Sequence, residues 1–314
     1  MRGHWILRLL VGGTLLAIVL FQIEWRDVFA ATHPINGHLI TGAFLVFGTQ
    51  ALFEGWRFKR LYQPYGLSSL QAVKLFFTSL FFSNFLPGSL GADLFQVQHL
   101  NRLTPGVTRP ITYVVLLRLS GLVINLSLAI LTGILLFQNT QSAFEFTMDT
   151  ERLVRLFLLA GSVVFIGLII GYILLRRTMD PKQARHWFHE RQREVFDAIS
   201  ALTFPQILVI VVAGILIVGA RAVALAIVTQ AFGQEVPWTG ALLVVSVTTL
   251  VAMVPISIGG LGVREASMAT MLSLFGLSLS DASAIAVVIL LFVWTLSATG
   301  GILWIRSRTP TEPR

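Results

Sequence analysis

The chain contains no cysteine, which excludes disulfides, thiolate metal sites and cysteine nucleophiles. Charge is also scarce. Asp, Glu, Lys and Arg make up 12% of the 314 residues, about half the roughly 25% typical of a soluble domain. Long polar stretches are few: 55% of the residues are hydrophobic, and the mean hydropathy is +0.79. Recognisable catalytic patterns are missing too. There is no P-loop, so any ATP would be used by a partner. No spacing of His and carboxylates makes a metal site, and His186 and His189 lie in a basic, interfacial stretch. Ser89 and Ser257 have no base paired with them in the sequence.

What is present is a succession of apolar runs: about 6–23, 39–53, 70–86, 111–137, 153–175, 205–232, 240–258, 266–276 and 282–305. Runs of this length predict an all-α polytopic membrane protein with about six full transmembrane helices. The first run is read as a retained helix rather than a cleaved signal, because it is long enough to span and Glu24, Arg26 and Asp27 follow it. The net charge of +8 does not point to nucleic acid here. The basic residues sit in short connections beside apolar runs, where they act as topology determinants and contacts for anionic head groups.

Counting Lys and Arg places the N-terminus, the connections 54–69 and 176–204 and the C-terminus in the cytoplasm. Residues 24–38, 138–152 and 233–239 are then external. The stretch 178–200 is charged and reads as an interfacial helix with Trp187, Phe188 and Phe196 as apolar contacts.

Two of the apolar regions are broken by nearly the same word. Pro87-Gly88-Ser89-Leu90-Gly91-Ala92 and Pro255-Ile256-Ser257-Ile258-Gly259-Gly260 stand 168 positions apart. Gly262 follows the second. Pro and Gly interrupt helices, and interrupted backbone within lipid needs protein or water around it. Matching breaks in two halves point to a binding site at a repeat interface. The chain divides accordingly into units 1–137 and 138–314, the first starting inside and the second outside. Each unit holds one broken region that begins and ends on the same side, which fits either a re-entrant hairpin or two crossings.

Charged residues lie in or beside these regions. Arg118 and Arg221 fall within spans, where insertion costs about 2.5–3.5 kcal/mol at mid-depth. Arg118 is read as lining a polar cavity and Arg221 as serving a substrate, directly or through an ion pair. The competing readings are snorkelling for Arg118 and a structural pair with Glu265 or Asp93 for Arg221. Arg264 and Glu265 open the arm after the second break. Glu265 suits the helix dipole as a cap, whereas Arg264 opposes it and calls for an anion or an internal carboxylate. Asp93 reads equally as a cap or as a charge in the pathway. Helix starts inside the bilayer favour anions, and glycines let a phosphate approach the backbone. Gly12-Gly13 and Gly300-Gly301 are assigned to packing.

Three stretches in order carry a family resemblance. They are Asn84-Phe85-Leu86-Pro87-Gly88-Ser89-Leu90-Gly91-Ala92-Asp93, then Leu117-Arg118-Leu119-Ser120-Gly121, then Pro255 through Ala266. Together they resemble the flippase-like transmembrane region of lysylphosphatidylglycerol synthetases, which also occurs alone in bacterial and archaeal inner-membrane proteins of this size. The chain departs at Ser89 and Ala92, where members often carry glycine. The resemblance implies movement of a lipid between leaflets, with Asp93, Arg118, Arg264 and Glu265 as functional positions. No soluble aminoacyl-transferase domain follows Arg314, so lipid aminoacylation is not expected; with catalytic patterns missing, the chain is not expected to be an enzyme.

The function expected is translocation of an anionic or zwitterionic lipid, or of a lipid-linked precursor, with a phospholipid or polyprenyl-phosphate head group as partner. No cofactor and no nucleic acid are expected. A lipid-modifying enzyme as partner and a homo-oligomer both stay open. The alternatives are an ion-coupled solute transporter and a non-transporting partner of a lipid-modifying enzyme.

Overall fold

The computed structural model describes residues 13–14, 16–21, 36–84, 90–104, 106–139, 198–254 and 257–308. The expected spans 6–23 and 153–175 fall largely or wholly outside them, as do nearly all of the expected interfacial helix and residues Pro87, Gly88, Ser89, Pro255 and Ile256. Among the described residues the chain is helical, with no strand.

Helix α1 (Gly37–Gly48) starts at Asn36, whose side chain accepts the His38 and Leu39 N–H groups at 3.1 and 3.3 Å. That capping satisfies two of the donors orphaned at a helix start. Thr49 stays in the helical region, so α1 runs almost directly into α2 (Gln50–Tyr62) and a 3₁₀ turn, Gln63–Tyr65. This corrects the expectation of a connection beginning at residue 54. The helix continues because Lys59 and Arg60 in its last turn favour the carbonyl end of the dipole.

Helix α3 (Ser69–Ser83) opens on a reciprocal cap: Gln71 N–H donates to Ser68 Oγ at 3.3 Å, and Ser68 N–H to Gln71 Oε1 at 2.9 Å. Then come α4 (Leu90–Leu100), α5 (Thr108–Asn139) and α6 (Phe204–Ala231), which has Pro205 in its first turn. The described chain closes with α7 (Trp238–Met253), α8 (Val263–Ser273) and α9 (Leu279–Arg308).

Among the described residues, four stretches are long and apolar enough to cross a membrane: Gly37–Tyr65, Thr108–Leu136, Phe204–Ala231 and Leu279–Ser307. They correspond to four of the six expected spans. The chain is a multi-pass membrane protein, and its surface agrees. Ile111, Val115, Leu119, Val123, Ile130 and Ile134 form an exposed stripe along α5, a large apolar patch that suits lipid and not water.

The broken regions are hairpins. Helices α3 and α7 have 15 and 16 residues, and α4 and α8 have 11 each. At 1.5 Å per residue the arms measure about 23, 24, 16 and 16 Å, all short of the roughly 30 Å hydrocarbon core. Their arms run back along each other. Phe95 of α4 stacks on Phe82 of α3 with ring centroids 4.6 Å apart. In the second hairpin, Gly240 near the start of α7 abuts Phe275, and Gly260 abuts Ala252 near its end.

Each hairpin leans on the other half of the chain. Besides its neighbour α2, α3 packs on α9; besides its neighbour α6, α7 packs on α5. The α3–α9 approach is close because Gly300 and Gly301 face it. A Cβ on Gly300 would overlap the Phe77 carbonyl, and one on Gly301 would lie 2.8 Å from the Phe81 ring. Gly300-Gly301 does serve packing, as the sequence suggested.

Candidate functional site

The two breaks meet. Helix α3 ends at Ser83, with Asn84 donating its N–H to the Phe81 carbonyl at 3.3 Å. Gly259 comes up against that end: a Cβ there would sit 3.1 Å from the Ser83 oxygen and 3.3 Å from Asn84 Cα. Its φ of +61° is a second reason for glycine. Asn84 Nδ2 donates to Ser297 Oγ at 2.6 Å, tying the same helix end to α9. Gly91 stands four residues after Pro87, as Gly259 stands four after Pro255. A Cβ on Gly91 would overlap the Phe82 carbonyl oxygen. Both motif glycines therefore lack side chains because both press on the carbonyl end of α3. Pro87, Gly88 and Pro255 lie outside the described residues; Asn84 and Gly259 show where the breaks converge.

At this junction lies a cavity of about 330 Å³, room for roughly eleven waters at about 30 Å³ each. Asp93, Arg118, Arg221 and Arg264 all line it. Glu265, the fifth predicted binding residue, is not on its wall. It is 1% exposed and sits behind Arg264.

Each of these side chains has a definite partner. Asp93, in the first turn of α4, pairs with Arg118 Nε of α5 at 2.5 Å. Arg118 is thus turned into the bundle. Glu265 Oε2 accepts the Gly262 N–H at 2.7 Å, which makes Glu265 the cap of α8; its Oε1 accepts Arg264 Nε at 2.9 Å. Gly262 adopts φ +77° at this cap. Arg221 pairs with neither Glu265 nor Asp93, which corrects the structural-pair reading. Both carboxylates are already engaged by nearer guanidiniums, and Arg221 Nε instead donates to Gln50 Oε1 at 3.0 Å.

The sequence reading missed Gln50, Glu54 and Arg57 of α2. Glu54 and Arg57 line the cavity and pair with each other at 2.5 Å. Arg57 is only 9% exposed, not a loop residue as expected. The signal was available: positions 50, 54 and 57 repeat at helical spacing, so they share one face. Assigning Arg57, with Lys59 and Arg60, to a basic connection hid that face, although Glu54-Gly55-Trp56 could extend the segment 39–53 at the interface.

Among the described residues, four guanidiniums (Arg57, Arg118, Arg221, Arg264) and three carboxylates (Glu54, Asp93, Glu265) make up the site, leaving 4 − 3 = +1. Such a wall can hold an anion through guanidinium N–H groups and offer Asp93 or Glu54 to an amine. Among the described residues, no group of three or more His, Asp or Glu could hold a metal ion.

No curated protein and no solved structure matches the chain. A family model described as the lysylphosphatidylglycerol synthase TM region matches residues 5–301. With that match over nearly the whole length, and with the three motifs assembled around one charged cavity, the chain belongs to the lysylphosphatidylglycerol synthase TM region family.

Proposed function

We propose that this protein is a flippase-like integral membrane protein that carries the head group of an anionic or zwitterionic lipid, or of a lipid-linked precursor, between leaflets. The observation that carries the reading is the convergence of Arg118, Arg221 and Arg264 on one cavity where the two hairpin breaks meet. The acyl chains stay in the bilayer while the head group exchanges its water for guanidinium contacts. Asp93 and Glu54 serve the amine of a zwitterionic head group.

The same proposal places the protein in a bacterial or archaeal inner membrane with both termini cytoplasmic. Units 1–137 and 138–314 are inverted copies. No covalent chemistry is assigned to the protein; a lipid-modifying enzyme would act before or after it.

The test is reconstitution into liposomes with a leaflet-specific assay of several labelled lipids. Wild type should move at least one lipid faster than protein-free vesicles do. Arg118→Ala and Arg264→Ala should slow it by about tenfold or more, since a charge-assisted contact is worth at least one such factor. Transport no faster than in empty liposomes sinks the proposal. So does transport that both variants leave unchanged, which favours a non-transporting scaffold.

A further inference from the structure

A second chamber of about 110 Å³ adjoins the cavity. Arg221 and Arg264 line both spaces. Gln50, Thr248 and Thr249 bring neutral polar groups to the smaller one, and its other walls are apolar, with Phe47, Leu225 and Ile289 among them. At about 30 Å³ per water it has room for three or four waters. That suits one compact ion, not a glycan head group.

Its charge is not balanced. Arg264 is matched by Glu265 at 2.8 Å. Arg221 is attracted by Glu54 and repelled by Arg57 and Arg264, while Glu54 is itself paired with Arg57. Among the described residues, three guanidiniums against two carboxylates leave +1 around the chamber. An uncompensated buried charge is costly. Separately, Thr248 is 2% exposed and its hydroxyl has no hydrogen-bond partner among the described residues. Buried hydroxyls are normally satisfied, so this one calls for an acceptor or a water.

We propose that this chamber binds one compact monoanion, held by the guanidinium of Arg221 and the hydroxyl of Thr248 with Arg264 on its far side. The chemistry is that of a singly charged halide or oxyanion. It comes either from water, as chloride or the dihydrogen phosphate ion, or from the phosphodiester of a lipid whose substituents extend into the adjoining cavity. The inference does not need lipid transport, and its test reads binding alone.

The full chain is purified in detergent, stripped of lipid and kept in gluconate. Binding of chloride, of inorganic phosphate and of phosphatidylglycerol micelles is then titrated calorimetrically and by the shift in thermal unfolding. At least one probe should saturate at one equivalent per chain and raise the unfolding temperature. Saturation by chloride or phosphate identifies an aqueous ion; saturation by phosphatidylglycerol alone identifies the lipid source. Arg221→Gln should weaken binding about tenfold or more, and Thr248→Val about threefold or more. Lys59→Gln, a cation removed outside the chamber, should leave affinity unchanged. Absence of saturable binding by all three probes overturns the proposal. So does affinity that Arg221→Gln leaves within about twofold. Should Arg221→Gln fail to fold, Thr248→Val decides alone, and unchanged affinity overturns the proposal.

Discussion

Glu265→Ala should be among the most destabilising substitutions at the site. The carboxylate is 1% exposed, accepts the Gly262 N–H at 2.7 Å and pairs with Arg264 at 2.8 Å. Removing it orphans a buried backbone donor, at about 1–3 kcal/mol. It also strips Arg264 of its counter-charge, and breaking a buried pair costs about 3–5 kcal/mol. The Arg264 side chain is 22% exposed and lines both cavities, so water recovers part of the second cost. We expect about 3–5 kcal/mol in total. Arg264→Ala should be milder, at about 1–3 kcal/mol, because Glu265 Oε2 still accepts the Gly262 N–H. The double variant should cost less than the sum of the two, since neither charge is left alone. Reversible unfolding in mixed micelles measures all three. The reasoning is refuted if Glu265→Ala lies within about 1 kcal/mol of wild type, or if Arg264→Ala proves the more damaging of the two.

Gly91→Ala and Gly259→Ala should each destabilise by about 1–3 kcal/mol, because the new methyl meets the backbone of α3 and that backbone cannot rotate away. Gly219→Ala has open space around it and should be neutral or stabilising by about 0.4–1 kcal/mol in the same unfolding assay. Asn84→Ala should cost about 1 kcal/mol through the lost bond to Ser297, and it should slow lipid movement in proteoliposomes by loosening the helix end on which both glycines rest. Asp93 and Arg118 side chains are 20% and 35% exposed, so a double-mutant cycle on their pair should give a coupling below about 1 kcal/mol even where transport falls sharply.

The spans and breaks were legible because lipid imposes strong rules on sequence. A run such as 205–232 has few alternatives to a helix, and the structure places α6 at Phe204–Ala231. Pro87 and Pro255 marked the hairpins, yet charge counting could not say whether the arms crossed. That the two arms pair came from packing such as Gly240 on Phe275, which is a long-range contact with no local signature. Arg118, Arg221, Arg264 and Asp93 stood out because charges within apolar runs are expensive. Glu54 and Arg57 did not, since they sit where a span ends and resemble an ordinary basic connection. Which acid takes which arginine was not legible either. Arg221 could have claimed Glu265 or Asp93 by composition, and only the packing of α2 against α6 gives it Gln50 instead.

The sign of the cavity's field comes from its side chains. A helix start carries a partial positive charge of roughly half a unit and a helix end an equal negative one. Taken alone, the starts of α4 and α8 favour an anion, which is how the breaks read in the sequence. But each hairpin also brings a helix end to the junction: α3 stops at Ser83 and α7 at Met253. Two ends offset two starts. Each start, moreover, carries its own carboxylate in the first turn, Asp93 and Glu265, and Glu265 already takes the Gly262 N–H. The backbone is therefore close to neutral toward a ligand, and Gly91 and Gly259 are explained by contact with α3 rather than by an approaching phosphate. What remains is the excess guanidinium. Because that excess is a single charge, neutralising Arg221 should abolish the preference for an anion over a neutral head group, whereas neutralising Asp93 should raise it.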